Sequence, residues 1–267
     1  MNTIAVTGSA SGIGAAVAAQ LEQDGHRVIG VDLHDAEVTA DLGTAAGRAH
    51  AVTAITRLAE GRLDGFLPFA GVAPTAGRAA GLLVSVNYFG AIELLEDLRP
   101  LLRAADAASV VLVSSNSTTT QPNWPVELAD ACLAGDEERA RGLAESLGDL
   151  AALHTYPATK AALAWYARTK SAEYIKEGIR LNAIAPGYID TPMTQEGTEN
   201  ELIREGMKGY LAATPIGRAG RPEEIANLAA FLVSDKATFF VGSVVFCDGG
   251  IDASFRGRDW PAVWQVG

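Results

Sequence analysis

The sequence predicts an α/β protein in which a mostly parallel sheet is covered by helices on both faces, and three observations carry that prediction. Short apolar runs alternate with longer stretches of helical period. A glycine cluster stands between the first apolar run and the first helix. Hydrophobic residues make up 48% of the chain and charged residues 20%, enough apolar surface to bury both faces of a sheet.

Residues 4–6 read as a buried strand and 15–21 as an alanine-rich helix that stops near Gly25. Residues 27–31 form the next strand, completing a βαβ opening. Further strands are expected at 65–70, 109–114, 180–185 and 243–246, with helices between them. The 267 residues are read as one domain, 1–267, because α/β folds of this length need no second core. The alternation breaks at 117–152 and at 188–213. The first break contains Asp136-Glu137-Glu138-Arg139, which reads as a solvated helix face.

A formal net charge of −11 excludes broad attraction to nucleic acid or anionic membranes, and no local basic patch offsets it. Cys132 and Cys247 lie far apart and outside any metal-ligand spacing, so neither a disulfide framework nor a metal site is expected, and both read as buried fillers. No stretch approaches bilayer length, and the chain runs into its first strand without a basic leader. A cytoplasmic protein is therefore expected.

Parallel strands direct ligands to their carboxyl ends, so chemistry is sought there. Gly8-Ser9-Ala10-Ser11-Gly12-Ile13-Gly14 follows the first strand and opens the first helix. Glycine there permits a tight turn and lets backbone N–H groups approach a pyrophosphate, as in a doubly wound Rossmann-type sheet. Taken alone, the run describes an ordinary turn equally well. Asp32 ends the second strand, where a carboxylate accepts hydrogen bonds from adenosine ribose hydroxyls and repels a 2′-phosphate, which points to NAD. Asp41 and Leu42 stand where they could border the adenine.

Tyr156-Pro157-Ala158-Thr159-Lys160 sets a phenol and an ammonium on one helix face. A lysine beside a tyrosine favours the phenolate and suits it to proton exchange with an alcohol. Pro157 requires Tyr156 to lie near the helix start, since proline is tolerated only in the first turn. Alone, the pair equally describes two amphipathic residues snorkelling from a surface helix. Residues 110–116 add a buried strand ending in Ser114-Ser115-Asn116, where Ser115 could hold a substrate oxygen. Of the histidines only His154 could approach this point, so hydrolase chemistry is disfavoured.

Together these residues resemble the short-chain dehydrogenase/reductase family along nearly the whole chain. Thr7-Gly8-x-x-x-Gly12-x-Gly14 is similar to its cofactor turn, and Tyr156-x-x-x-Lys160 to its catalytic pair. The resemblance implies that Tyr156 exchanges the proton and Ser115 polarises the substrate oxygen. Lys160 would bind the nicotinamide ribose, and Asn87 would hold a water linking Lys160 to solvent. It further implies cofactor contacts at Ser11, Ile13, Ala70, Gly71, Pro186, Gly187, Ile189 and Thr191. Two departures stand out: Pro68-Phe69-Ala70-Gly71 replaces an Asn-containing run that braces its strand, and a long segment separates Ser115 from Tyr156. That insertion implies a covered face that relatives use for tetramers, hence a dimer.

The insertion, with residues 31–42, 85–91 and 248–253, resembles the bacterial hydroxysteroid dehydrogenase/carbonyl reductase branch of the family. The implied substrate is a hydroxysteroid or similarly bulky apolar alcohol or ketone. A dehydrogenase of aryl or allylic alcohols, of the coniferyl alcohol type, would use the same catalytic residues. An acyl-carrier reductase fits less well, because Asp32 opposes NADPH and the acidic chain offers no dock for an acidic carrier. A non-catalytic NAD-binding regulator is the reading of another class. Residues 188–213 are expected to form a substrate lid through Tyr188, Met193, Met207, Tyr210 and Leu211, or to pack as two ordinary short helices. Trp260 and Trp264 would close a neighbouring subunit's site or merely anchor the tail.

Overall fold

The computed structural model describes all residues except 76, 197–200, 261–262 and 264–267, together with the side chains of 201–203. Seven strands run in parallel: β1 (Thr3–Thr7), β2 (Arg27–Asp32), β3 (Val38–Thr39), β4 (Gly65–Pro68), β5 (Ala108–Val113), β6 (Ile179–Pro186) and β7 (Val244–Cys247). Their order is β3-β2-β1-β4-β5-β6-β7. This is a Rossmann-type doubly wound sheet, and the chain reverses direction across it between β1 and β4, opening a crevice at their carboxyl ends.

Alternation along the strands feeds two separate cores. Ala5, Val110 and Leu112 face one core, while Ile4, Val6, Val111 and Val113 face the other. The second core is closed by α1 (Gly12–Gln23) and by a late helix, Pro222–Val233. Against the first lie α2 (Ala45–Leu58), α3 (Ala80–Val84), a π-helical turn (Ser85–Phe89) and α4 (Gly90–Arg103). Next come α5 (Ser117–Thr120), α6 (Val126–Leu133) and α7 (Glu137–Glu145), then the long α8 (Ala151–Tyr174). After β6 follow α9 (Pro192–Glu196), α10 (Glu201–Ala213), α11, which is the Pro222–Val233 helix, and α12 (Ile251–Arg256).

Three expectations need correction. Tyr156 does not lie at a helix start, because α8 begins at Ala151 and carries Pro157 inside it. The proline leaves the carbonyl of Leu153 without its helical donor. Gln121 supplies a replacement, its Nε2 donating to Leu153 O at 2.7 Å. The run 136–139 is more than a solvated face: Asp136 caps α7 by accepting from Arg139 N at 3.0 Å, and Glu137 pairs with the buried Arg48. Cys132 is buried as expected, whereas Cys247 is only half-buried.

Trp260 is 69% exposed, and Trp264 lies outside the described residues. Among the described residues no helix is long and apolar enough to cross a membrane, and no cluster of His, Cys, Asp and Glu could hold a metal ion. Phe66, fully buried in β4 at the centre of the sheet, tests the packing. Replacing it with Ala is expected to lower unfolding free energy by about 3–5 kcal/mol in urea titrations.

Candidate active site

One cleft of about 310 Å³ runs along the carboxyl ends of the strands. Its floor begins at the β1–α1 turn. Gly8 adopts φ +73°, and a Cβ there would lie 2.8 Å from Ala70 N, so only glycine fits between the two strand ends. A Cβ on Gly14 would meet Gly8 O at 2.0 Å, so glycine there lets α1 start this close to the end of β1. Ser11, Gly12 and Ile13 complete this wall.

Asp32, at the end of β2, accepts from Ala10 N (2.9 Å) through Oδ2 and from Leu33 N (2.6 Å) through Oδ1. These bonds fix the carboxylate facing the cleft while leaving lone pairs on both oxygens. Asp41, Leu42, Ala70, Gly71, Pro186, Gly187, Ile189 and Thr191 also line it. The missing Asn-containing brace is replaced from β1: Thr7 accepts from Phe69 N through its carbonyl (3.1 Å) and from Ala70 N through its hydroxyl (3.1 Å).

At the other end β5 and α8 meet. Ser114 Oγ donates to Lys160 O at 2.8 Å, and Lys160 Nζ donates to Val113 O at 3.0 Å. These two bonds lock the strand end to the helix turn. Ser115 and Tyr156 thereby come together on one wall of the cleft. Lys160 Nζ lies 5.8 Å from the Tyr156 ring centre. Loss of solvent raises the Tyr156 hydroxyl above its ordinary value, opposed by the neighbouring Ser115 hydroxyl. The lowering expected from Lys160 is not found: the shift is upward, set by desolvation, and the one opposing influence is Ser115.

Asn87 does not line the cleft. It sits in the π-helical turn, an irregularity common at functional sites. Its Oδ1 accepts from Val72 N (2.7 Å) and its Nδ2 donates to Val72 O (3.1 Å). A Cβ on Gly71 would fall 3.1 Å from Asn87 Oδ1 and 3.8 Å from Lys160 Nζ, so Asn87 adjoins the lysine across that glycine.

Residues 2–126 match the family model described as short chain dehydrogenase, and residues 146–252 match the one described as enoyl-(acyl carrier protein) reductase. The 3-alpha-hydroxysteroid dehydrogenase/carbonyl reductase of Comamonas testosteroni is 38% identical over 96% of this chain and 98% of its own length. The chain belongs to the short-chain dehydrogenase family. It is an oxidoreductase acting on CH–OH groups. The crystal structure of the 3-alpha-hydroxysteroid dehydrogenase from Pseudomonas sp. B-0831, complexed with NADH, superposes with a TM-score of 0.90 at 41% identity, covering 96% of this chain and 99% of that one. Cyclohexanol dehydrogenase of Acinetobacter sp. is 30% identical over 91% of this chain and 92% of its own.

Between the two family-model matches lie α7 and nearly all of α6. Sequence reasoning missed the side chains that hold the site: Thr7, Ser114 and Gln121 all act through bonds to backbone, which no local motif announces. Met193 and Thr194 line the cleft, whereas His154 does not. Residues 197–200 of the expected lid lie outside the described residues.

Burial also holds the Lys160 ammonium down to about 8, from 10.5. Between those values the unfolded chain binds more protons here than the native one, so stability rises with pH through that window; below about 8 the burial penalty is present in full. Urea melts compared at each pH with Lys160→Met should show the parent gaining relative stability from about pH 8 to 10.5. Parallel profiles would contradict this assignment.

Proposed function

We propose that this short-chain dehydrogenase is NAD-dependent and interconverts a secondary alcohol and a ketone, with a hydroxysteroid or similarly bulky apolar molecule as substrate. The observation that carries the reading is the convergence of a half-buried phenol, a serine hydroxyl and a buried ammonium on one cleft whose far end presents the Asp32 carboxylate. The donor set fits a dinucleotide: the N-terminus of α1, at Gly12, Ile13 and Gly14, lines the cleft where a pyrophosphate would lie, and Asp32 keeps lone pairs for ribose hydroxyls while repelling a 2′-phosphate. Nicotinamide, when bound, donates or accepts the hydride.

The protein's own part is proton transfer and positioning. Ser115 donates to the substrate oxygen and holds it against Tyr156. The Tyr156 phenol, kept protonated by burial, delivers its proton to that oxygen during reduction and recovers one during oxidation. Lys160 stabilises the transient phenolate and binds ribose hydroxyls. Asn87, adjoining Lys160 across Gly71, completes a relay through a water.

Helices α9 and α10 act as a lid. Met193 and Thr194 line the cleft, and Tyr210 of α10 is anchored where the Asn116 amide donates to its hydroxyl, one residue from Ser115. The relatives' names support a ring-borne hydroxyl, since they include a hydroxysteroid and a cyclohexanol. A homodimer is the assembly that accompanies this reading, with α6 and α7 covering α3 and α8.

A panel of steroid, alicyclic and aryl alcohols followed by NADH absorbance is expected to favour steroids; strong aryl turnover without steroid turnover would reverse the substrate assignment. Tyr156→Phe is expected to lower kcat by at least about a hundredfold with NADH binding retained. Asp32→Ala should narrow the preference for NADH over NADPH measured by calorimetry, and a parent that prefers NADPH would refute the role given to Asp32.

A further inference from the structure

The inserted helix α7 packs against α3, the π-helical turn and α8, and two of its charged side chains reach through that contact toward the walls of the cleft. Arg141 Nη1 donates to Ser85 Oγ at 3.2 Å, at the first residue of the turn that carries Asn87. The second connection runs further. Arg48, near the start of α2, is only 4% exposed, and a guanidinium so buried is stable only where acceptors meet its edges.

Three elements supply them. Arg48 Nη2 donates to Glu137 Oε2 of α7 at 2.6 Å, and Nε to Glu93 Oε2 of α4 at 2.5 Å. Nη1 donates to the backbone oxygen of Leu42 at 3.3 Å. Leu42 and Asp41 line the end of the cleft that also holds Asp32. Bonds inside the segment shape it locally: Gly43 N donates to Asp41 Oδ1 at 2.9 Å, and Thr44 Oγ1 to Asp41 O at 3.1 Å. The segment also rests flush on α2, since a Cβ on Gly47 would lie 1.9 Å from Asp41 O. Arg48 ties this local turn to two further helices, one of them inserted.

We propose that Arg48 is a positioning residue for the adenosine half of the cofactor, and that Glu137 of the insertion holds it in that role. The proposal rests on the NAD-binding reading above. A planar fork bonded along several edges has one orientation, so it fixes the Leu42 carbonyl and with it the wall beside Asp41. Ser115, Tyr156 and Lys160 are held by β5 and α8 instead, so loosening Arg48 weakens adenosine binding and leaves the chemical step intact. On this account the insertion tightens the cofactor site as well as covering a surface.

Calorimetry with ADP-ribose, which lacks nicotinamide, tests this on the full chain, alongside kcat and KM for NAD with the alcohol turned over best and the melting temperature of each variant. Glu137→Gln should weaken ADP-ribose binding about three- to tenfold and Arg48→Lys about tenfold or more. In both, kcat at saturating NAD should stay within about twofold of the parent, and the exposed neighbour Glu138→Gln should bind like the parent. ADP-ribose affinities equal to the parent's, even with lowered melting temperatures, would show a merely structural triad and overturn the proposal while leaving the cofactor reading intact. A kcat loss as large as the affinity loss would overturn the restriction to adenosine. A parent that binds NADH but no ADP-ribose would overturn the proposal alone, and a parent that binds neither would overturn the cofactor reading with it.

Discussion

The site depends on one junction, where the end of β5 and an early turn of α8 are bonded to each other in both directions. Lys160 gives its ammonium to the Val113 carbonyl and receives the Ser114 hydroxyl on its own carbonyl. A buried ammonium is costly unless it is bonded, so this contact forces the lysine to a single place and draws the strand end to the helix. Ser115, just past the end of β5, and Tyr156, one helical turn before the lysine, are then brought together without any further device. The sheet sets where this junction falls, because β5 lies next to the switch between β1 and β4 where the crevice opens.

The fold was legible because period-2 and period-3.6 patterns are local and because the parallel strands are buried on both faces. Strand β3, with only Val38 and Thr39, escaped assignment since two residues carry no period. Pro157 misled for a physical reason: local rules count the hydrogen bond that proline removes, whereas the structure supplies a substitute from Gln121, distant in sequence. Likewise the acidic run at the start of α7 looks like a solvated face until Arg48, from the other half of the Rossmann unit, is seen beneath it.

The candidate site was more legible than its support. Every cofactor position read from the residues or implied by the family resemblance lines the cleft, together with Ser115, Tyr156 and Lys160. Asn87 falls behind Gly71 rather than in the wall. The bracing of the strand by Thr7 could be inferred as a need, from the absent Asn, but not as a solution. The direction in which Tyr156 is shifted reads the wrong way from the adjacent lysine, because desolvation set by the whole fold decides it.

The central claim is that this junction presents a substrate carbonyl to nicotinamide while Tyr156 supplies the proton. The most direct measurement is the fate of the label when the enzyme reduces a steroid ketone with NADH carrying deuterium at the transferring position of the nicotinamide ring, in ordinary water, read by NMR of the product alcohol. The account predicts deuterium on the carbinol carbon and a solvent-derived proton on its oxygen. Ordinary hydrogen at that carbon, with the cofactor's deuterium retained or lost to water, would contradict it.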